Sequence, residues 1–376
     1  MSAAPPEQRS HFLLTVQGWP YLLVPFIPLA LVLELAHADA VILFATSAVG
    51  VIPTAALMGR ATEELAARAG PGIGGLLNVT FGNAPELIIA LFALHEGLQE
   101  VTKASIVGSV MGNVLLVLGA SMFIGGLGRD HQRFNQTSAS AQSSMLLLAI
   151  IAMILPAVFV LVQGGGLPLP SSEIVDFSSE VETLSLVTAF VLIGAYASGL
   201  IFSLRTHRDL FNPEHDDDGE YGDHWSVRRS VIALAIAGAA VALMSEILVG
   251  SISETASKAG LSEFFIGAVV VAIVGNAAEH WVAVLVARKD KMDLAVNIAI
   301  GSGAQIALFV APVLVLASYV IGPHPMPLVF NGFELAALIA AGLIANQVTQ
   351  DGESTWFEGF QLLCLYVILA VAFFIA

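Results

Sequence analysis

"FGNAPELIIA" (residues 81–90) sets Asn83, Pro85 and Glu86 in an otherwise apolar segment, and "VGNAAEHWVA" (274–283) does nearly the same with Asn276 and Glu279. In each case Gly-Asn-Ala precedes the carboxylate. A charge at the centre of a membrane-spanning helix costs about 2.5–3.5 kcal/mol even on the lenient insertion scale. Such a group persists when it is paired, protonated or turned toward a wet cavity. What surrounds the two segments therefore decides both the fold and the chemistry.

The surroundings are apolar throughout. Hydrophobic residues make up 57% of the 376-residue chain and charged residues 12%, against roughly 45–50% and 25% in soluble domains. The mean hydropathy of +0.84 comes from long apolar runs, and a span needs about 20 such residues. Eleven runs qualify, near 20–38, 40–58, 71–95, 101–124, 143–163, 183–204, 230–250, 263–287, 294–320, 328–347 and 356–375. The expected fold class is all-α: a polytopic membrane protein with eleven transmembrane helices. No cleavable signal peptide is expected, because Arg9 is the only base before the first run and no small-residue cleavage site follows. The lone Cys364 leaves no part for disulfides.

Lys and Arg set the orientation. With the N-terminus in the cytoplasm and eleven alternating spans, Arg9, Arg60, Arg68, Arg129, Arg133, Arg205, Arg208, Arg228, Arg229, Arg288, Lys289 and Lys291 fall inside. Of the 14 basic residues only Lys103 and Lys258 fall outside. The C-terminus is then expected outside, and the membrane is expected to be a prokaryotic plasma membrane. Much of the net charge of −16 is local. It sits in "SSEIVDFSSEVE" (171–182) and "NPEHDDDGEYGD" (212–223), which read as solvated connectors.

The two Gly-Asn-Ala segments belong to a duplication. "ATEELAARAG" (61–70) and "ISETASKAG" (252–260) precede them; "KASIVGSVMGNVLLVLGAS" (103–121) and "NIAIGSGAQIALFVAPVL" (297–314) follow. Aligning Gly82 with Gly275 brings Gly108-Ser109 onto Gly301-Ser302 without a gap. Spans two to six thus match spans seven to eleven, with one extra N-terminal helix. Five spans is an odd number, so the repeats have inverted topology, an architecture of secondary transporters with the substrate site near the midplane. The expected organisation is a cytoplasmic N-terminus and first helix (1–39), a first five-helix repeat (40–204), a polar acidic cytoplasmic linker (205–229) and a second five-helix repeat (230–376).

Residues three or four apart share a helix face, so Asn83 projects with Glu86, and Asn276 with Glu279. Ser109 with Asn113, and Ser302 with Gln305, form matching polar faces on the next span of each half. Two carboxylates with amide, hydroxyl and carbonyl oxygens suit Ca²⁺, which takes six to eight oxygen ligands. Pro85 lacks an N–H and is expected to free the Phe81 carbonyl; Gly82 and Gly275 allow close approach. Soft-metal ligands are nearly absent, which argues against zinc and copper. One divalent cation or two protons each neutralise the pair, whereas the empty, doubly charged site should cross the membrane reluctantly. That is the logic of an antiporter. His280 is the only other group here that could titrate near neutrality. It reads as a proton-handling residue or as a hydrogen-bonded packing residue. Glu34 and Glu246 are candidates for the cavity mouths.

"GGLLNVTFGNAPELIIALFAL", "VGNAAEHWVAVLVARKDKMDLAVNIAIGSGAQIALFVAP" and "RTHRDLF" resemble the Ca²⁺/H⁺ antiporters of the cation/Ca²⁺ exchanger superfamily over roughly residues 34–376. The sequence departs from the family at Gly112, where a larger residue, often Ser, is usual. The resemblance implies that Glu86 and Glu279 carry both Ca²⁺ and protons. Asn83, Asn276, Ser109, Ser302, Gln305 and Asn113 complete the cage, and His280 takes part in coupling. Spans two and seven would be the moving helices. Ser302-Gly303-Ala304-Gln305 lacks the extra acids of the Na⁺-coupled branch, which favours protons. The alternatives are a Na⁺-coupled Ca²⁺ exchanger, a Ca²⁺-selective channel with acid rings contributed by several chains, and an intramembrane hydrolase, for which the usual catalytic motifs are missing. The chain is read as a transporter and not an enzyme, with no cofactor. Its partners are Ca²⁺, protons and the lipid bilayer, with no nucleic acid and room for a homo-oligomer.

Overall fold

In a bilayer each apolar run must satisfy its own backbone groups, and a helix does so within one segment. The computed structural model describes residues 18–170, 176–206 and 225–376. The acidic stretch 212–223, part of 171–182, most of "RTHRDLF", Arg9 and Arg208 lie outside the described residues. A 3₁₀ turn (Trp19–Leu23) leads into α1 (Phe26–Leu35), followed by α2 (Ala40–Gly82), α3 (Ala84–His95) and α4 (Gln99–Gly126). Next come α5 (Gln136–Val162), α6 (Ser179–Thr206), α7 (Val227–Gly250), the short α8 (Ile252–Ala259), α9 (Glu263–Arg288), α10 (Met292–Ser318), α11 (Gly332–Val348) and α12 (Trp356–Ile375). The only pairing of extended chain among the described residues joins β1 (Gln132–Arg133) to β2 (Glu353–Ser354).

Among the described residues, eight helical segments are long and apolar enough to cross a membrane, and three shorter apolar ones, Trp19–Leu35, Ala84–His95 and Gly332–Val348, accompany them. The protein is a polytopic, all-α integral membrane protein. Its outer helices turn Leu148, Ile151, Phe190, Val191, Ile236, Val367 and Ile368 outward, an apolar surface of the kind lipid covers. Local signals start the helices. Asp39, Asn135 and Ser262 accept from the first-turn amides of α2, α5 and α9. Asn331 with Glu334, and Thr355 with Glu358, form capping boxes on α11 and α12. The Asp39 carboxyl also accepts from Lys258 on α8 at 2.8 Å, which holds it below the usual carboxylate range. That pair is exposed and adds little to stability.

Two boundaries differ from those read in the sequence. The second span does not end near residue 58, because helical bonding continues through "ATEELAARAG" to Gly82. This stretch is nevertheless not one straight rod. A Cβ placed on Gly74 would collide with the Ala66 carbonyl, although residues eight apart in a straight helix are about 12 Å apart. The chain folds back on itself between these residues, where Gly70-Pro71-Gly72 falls. The third run, expected to continue through residue 95, breaks at Asn83 (φ −100°, ψ 22°). Pro85 cannot donate to the Phe81 carbonyl, and its ring disfavours a continuous helix there. Contrary to the expectation from the sequence, that carbonyl is not free: it accepts from the Asn83 amide. The second Gly-Asn-Ala segment has Ala278 where the first has Pro85, and α9 runs unbroken through it.

The centre of the molecule is α4 and α10, with 83% and 67% of their apolar windows buried, against 22–33% for α5, α6, α7, α9 and α12. Both central helices carry a π-helical stretch, Gly112–Val117 in α4 and Ile306–Val310 in α10, a distortion frequent at functional sites. Small residues let α4 and α9 cross closely. A Cβ on Gly108 would strike the backbone of Ala268, and one on Gly267 would lie 2.9 Å from the Val101 carbonyl. Gly108→Ala is therefore expected to lower stability by about 1–3 kcal/mol, the usual cost of overpacking, read as a lower unfolding midpoint of the purified protein. An unchanged midpoint would show that the crossing yields easily.

Candidate ion-binding site

The break at Asn83 aims α3 into the bundle, with Glu86 in its first turn. The Glu86 side chain lies against Gly275 of α9: a Cβ there would be 3.4 Å from its Cγ and 3.5 Å from Oε1. Gly275 and Glu279 are four residues apart on an unbroken helix and share a face. The two carboxylates thus approach one another, and Glu86 lies within electrostatic reach of Glu279.

The amides pair across the two halves of the chain. Asn83 Nδ2 donates to Gln305 Oε1 of α10 at 2.6 Å, and Asn276 Nδ2 donates to Ser109 Oγ of α4 at 3.3 Å and to the Ala272 carbonyl. Each Asn spends its nitrogen on protein acceptors. Ser302 Oγ donates to Glu279 Oε2 at 3.1 Å. Asn113, fully buried, donates to the Ser109 carbonyl and packs against Gly303. The buried side-chain oxygens Asn83 Oδ1, Glu86 Oε2, Asn113 Oδ1 and Asn276 Oδ1 receive no protein donor. The three amide oxygens accept only, and the Glu86 oxygen does so when ionised, so what satisfies them then must be a donor or a cation.

Beside Glu86 and Ser109 lies a cavity of about 10 Å³ bounded by Ile89, Ser105, Ile106, Val271 and Ile306, about enough for one water-sized guest. Ser105 went unnoticed in the sequence, although it lies one turn before Ser109. Glu63 of α2 was also missed and acts electrostatically on Glu279. Its signal was the acidic pair in "ATEELAARAG", which the span count assigned to a connection.

His280 follows Glu279 directly, so its side chain leaves the helix about 100° away from the shared face. Its Nε2 is buried without a protein partner, and neighbouring Trp281 packs edge-on against Trp19 at 5.9 Å. Glu34 and Glu246 are exposed, near the end of α1 and late in α7, and no described hydrogen bond joins them to the site. Nothing lies within 4 Å of a Cβ built on Gly112, so a larger residue would find space there. Among the described residues no three His, Cys, Asp or Glu side chains converge. The cluster is two carboxylates supplemented by neutral oxygens.

The chain matches the sodium/calcium exchanger protein family over residues 40–205 and 229–375. It is 46% identical to the Ca²⁺/H⁺ antiporter ChaA of Bacillus subtilis, covering 98% of this chain and 99% of that one. It is 42% identical to a Ca²⁺/H⁺ antiporter of Aphanothece halophytica, covering 94% and 95%. The solved structure of native YfkE superposes with a TM-score of 0.78 at 42% identity, covering 95% of this chain and all of that one. The chain belongs to the sodium/calcium exchanger family, and its similarity within that family runs to the Ca²⁺/H⁺ antiporters.

Proposed function

We propose that the protein exchanges Ca²⁺ for protons across a prokaryotic plasma membrane by alternating access, with both substrates competing for Glu86 and Glu279. Four buried oxygens, three from the two Gly-Asn-Ala segments and one from Asn113 of α4, none with a protein donor, carry this conclusion. Asn83, Asn113, Asn276, Ser109, Ser302 and Gln305 supply the neutral part of the cage and hold the carboxylates in place. A divalent cation or two protons each balance the pair. With neither bound, two like charges remain in low dielectric and oppose rearrangement. His280, just off the shared face, takes the coupling role, and exposed Glu34 and Glu246 serve as cavity mouths.

Eleven spans in two inverted repeats, preceded by one helix, give the frame. Tertiary contacts between connections support the count. Lys258 reaches Asp39, Tyr319 reaches the Glu182 carbonyl, and Asn331 reaches Glu100, all between connections or span ends assigned outside. Arg68 reaches Trp225, Arg129 reaches Arg288, and Arg133 reaches Glu353, all between connections assigned inside. Removing one span from the count would set several of these partners on opposite faces. Gly82 and Gly275 are as far apart in sequence as Gly108 and Gly301, and the π-stretches of α4 and α10 fall at equivalent places. The N-terminus is then cytoplasmic and the C-terminus outside, with residues 205–229 linking repeats 40–204 and 230–376.

Proteoliposomes separate the coupling ions. Ca²⁺ uptake is expected under an imposed pH gradient, without Na⁺, K⁺ or ATP. Uptake driven by a Na⁺ gradient but indifferent to pH would assign the protein to the Na⁺-coupled alternative. Uptake that needs no counter-gradient of either ion would indicate a channel.

A further inference from the structure

At the N-terminal ends of α4 and α11, away from the exchange site, charged groups lie sealed in the core. Glu100, Lys103, Asn331 and Glu334 are 6%, 1%, 0% and 0% exposed. Lys103 Nζ pairs with Glu100 Oε2 at 3.3 Å and donates to the Val329 carbonyl at 3.3 Å. Asn331 Nδ2 donates to Glu100 Oε1 at 2.9 Å, and the Asn331 amide donates to Glu334 Oε2 at 2.8 Å. Glu334 Oε1 is buried with no protein partner. Met326, Leu328, Val329 and Phe330, all 0% exposed, close the surroundings. At about 100° per residue, Glu100 and Lys103 lie on the face of α4 opposite Ser105 and Ser109.

Two carboxylates and one ammonium leave one negative charge unbalanced, which a sealed site does not tolerate. The charges acting on Glu334 are those of Glu100 and Lys103. The neighbouring faces of α5 and α6 contribute Ala157, Val181 and Ser185, none of which titrates, and His324 nearby is exposed. A metal ion fits poorly, because Ca²⁺ takes six to eight oxygens, Glu334 Oε1 is the one carboxylate oxygen of the cluster with neither a hydrogen bond nor an ion pair, and the Lys103 ammonium repels cations. A proton needs a single oxygen.

We propose that Glu100, Lys103, Asn331 and Glu334 form a second proton-binding site, separate from exchange, that holds one proton on its two carboxylates and pins the start of α11 to α4. Loss of that proton would unbalance the core and loosen the segment that leads into α11.

The test uses purified full-length protein carrying Glu86→Gln and Glu279→Gln, so that the exchange site contributes no carboxyl signal and no transport is required. Infrared difference spectra at neutral pH should show a protonated-carboxyl stretch that Glu334→Gln removes. Glu100→Gln should remove it too, because either change leaves one carboxylate balanced by Lys103. Lys103→Met should raise it about twofold, since both carboxyls must then be neutral. A stretch that survives both Gln substitutions, or none in the parent, overturns the proposal. So does a signal displaced by Na⁺, K⁺ or Ca²⁺ at constant pH, which would make the occupant a metal cation. If Lys103→Met does not fold, the two Gln variants, which keep side-chain shape, still decide.

Discussion

Glu86→Gln and Glu279→Gln are each expected to abolish Ca²⁺/H⁺ exchange while the protein remains folded and monodisperse. Glutamine keeps the shape and an acceptor oxygen, so the bond from Ser302 Oγ to residue 279 survives. What disappears is the ability to ionise. A divalent ion then faces one carboxylate instead of two, and removing one partner from a buried charged assembly costs about 3–5 kcal/mol. At 1.4 kcal/mol per tenfold, Ca²⁺ affinity should fall by more than about a hundredfold. The proton loses one of its two carriers at the same time, so neither direction of the cycle survives. Proteoliposome flux checks this. Residual exchange above about a tenth of wild type in either variant would place the site elsewhere.

The centre of this site was legible in the sequence because it is written in polar residues on apolar helices. Asn83, Glu86, Asn276, Glu279, Ser109 and Ser302 stand out against Leu and Val, and their matched spacing is the basis for reading a repeat. Which residue bonds to which was not legible. The pairs Asn83 with Gln305 and Asn276 with Ser109 are 222 and 167 residues apart, and helical periodicity says nothing about contacts at that range. The break at Asn83 was half visible. Pro85 announces a disturbance, but the backbone of Asn83 itself takes up the bend. Lys103 misled most. It counts as an outside charge in the orientation rule, yet it is fully buried and paired to Glu100 one turn earlier. Lys and Glu at that spacing are usually a solvated helix face, and only the Val329 carbonyl and Asn331, more than 200 residues away, show otherwise.

A shared site also predicts how Ca²⁺ affinity depends on pH. Glu86 lies against the backbone of Gly275, one turn before Glu279, so the pair titrates as a unit and its macroscopic constants belong to both residues. Ca²⁺ coordination needs both carboxylates deprotonated, and binding therefore releases protons. Well below both constants, each unit fall in pH should raise the apparent Kd about a hundredfold, because two protons compete for one ion. Above both, the affinity should level off. One shared carboxylate would give about tenfold per unit. A separate proton site acting only through conformation would give a shallower dependence that saturates at low pH, since the two ligands could then bind together. Equilibrium Ca²⁺ binding to the purified protein over several pH values distinguishes these cases without transport. The sealed cluster at Glu100 and Glu334 should leave the limiting slope unchanged, because its carboxylates face away from Ser109 and take no part in holding the ion. An affinity independent of pH would sink the shared-carboxylate mechanism even if vesicles still exchanged Ca²⁺ for protons, because the protons would then have to cross on groups other than Glu86 and Glu279.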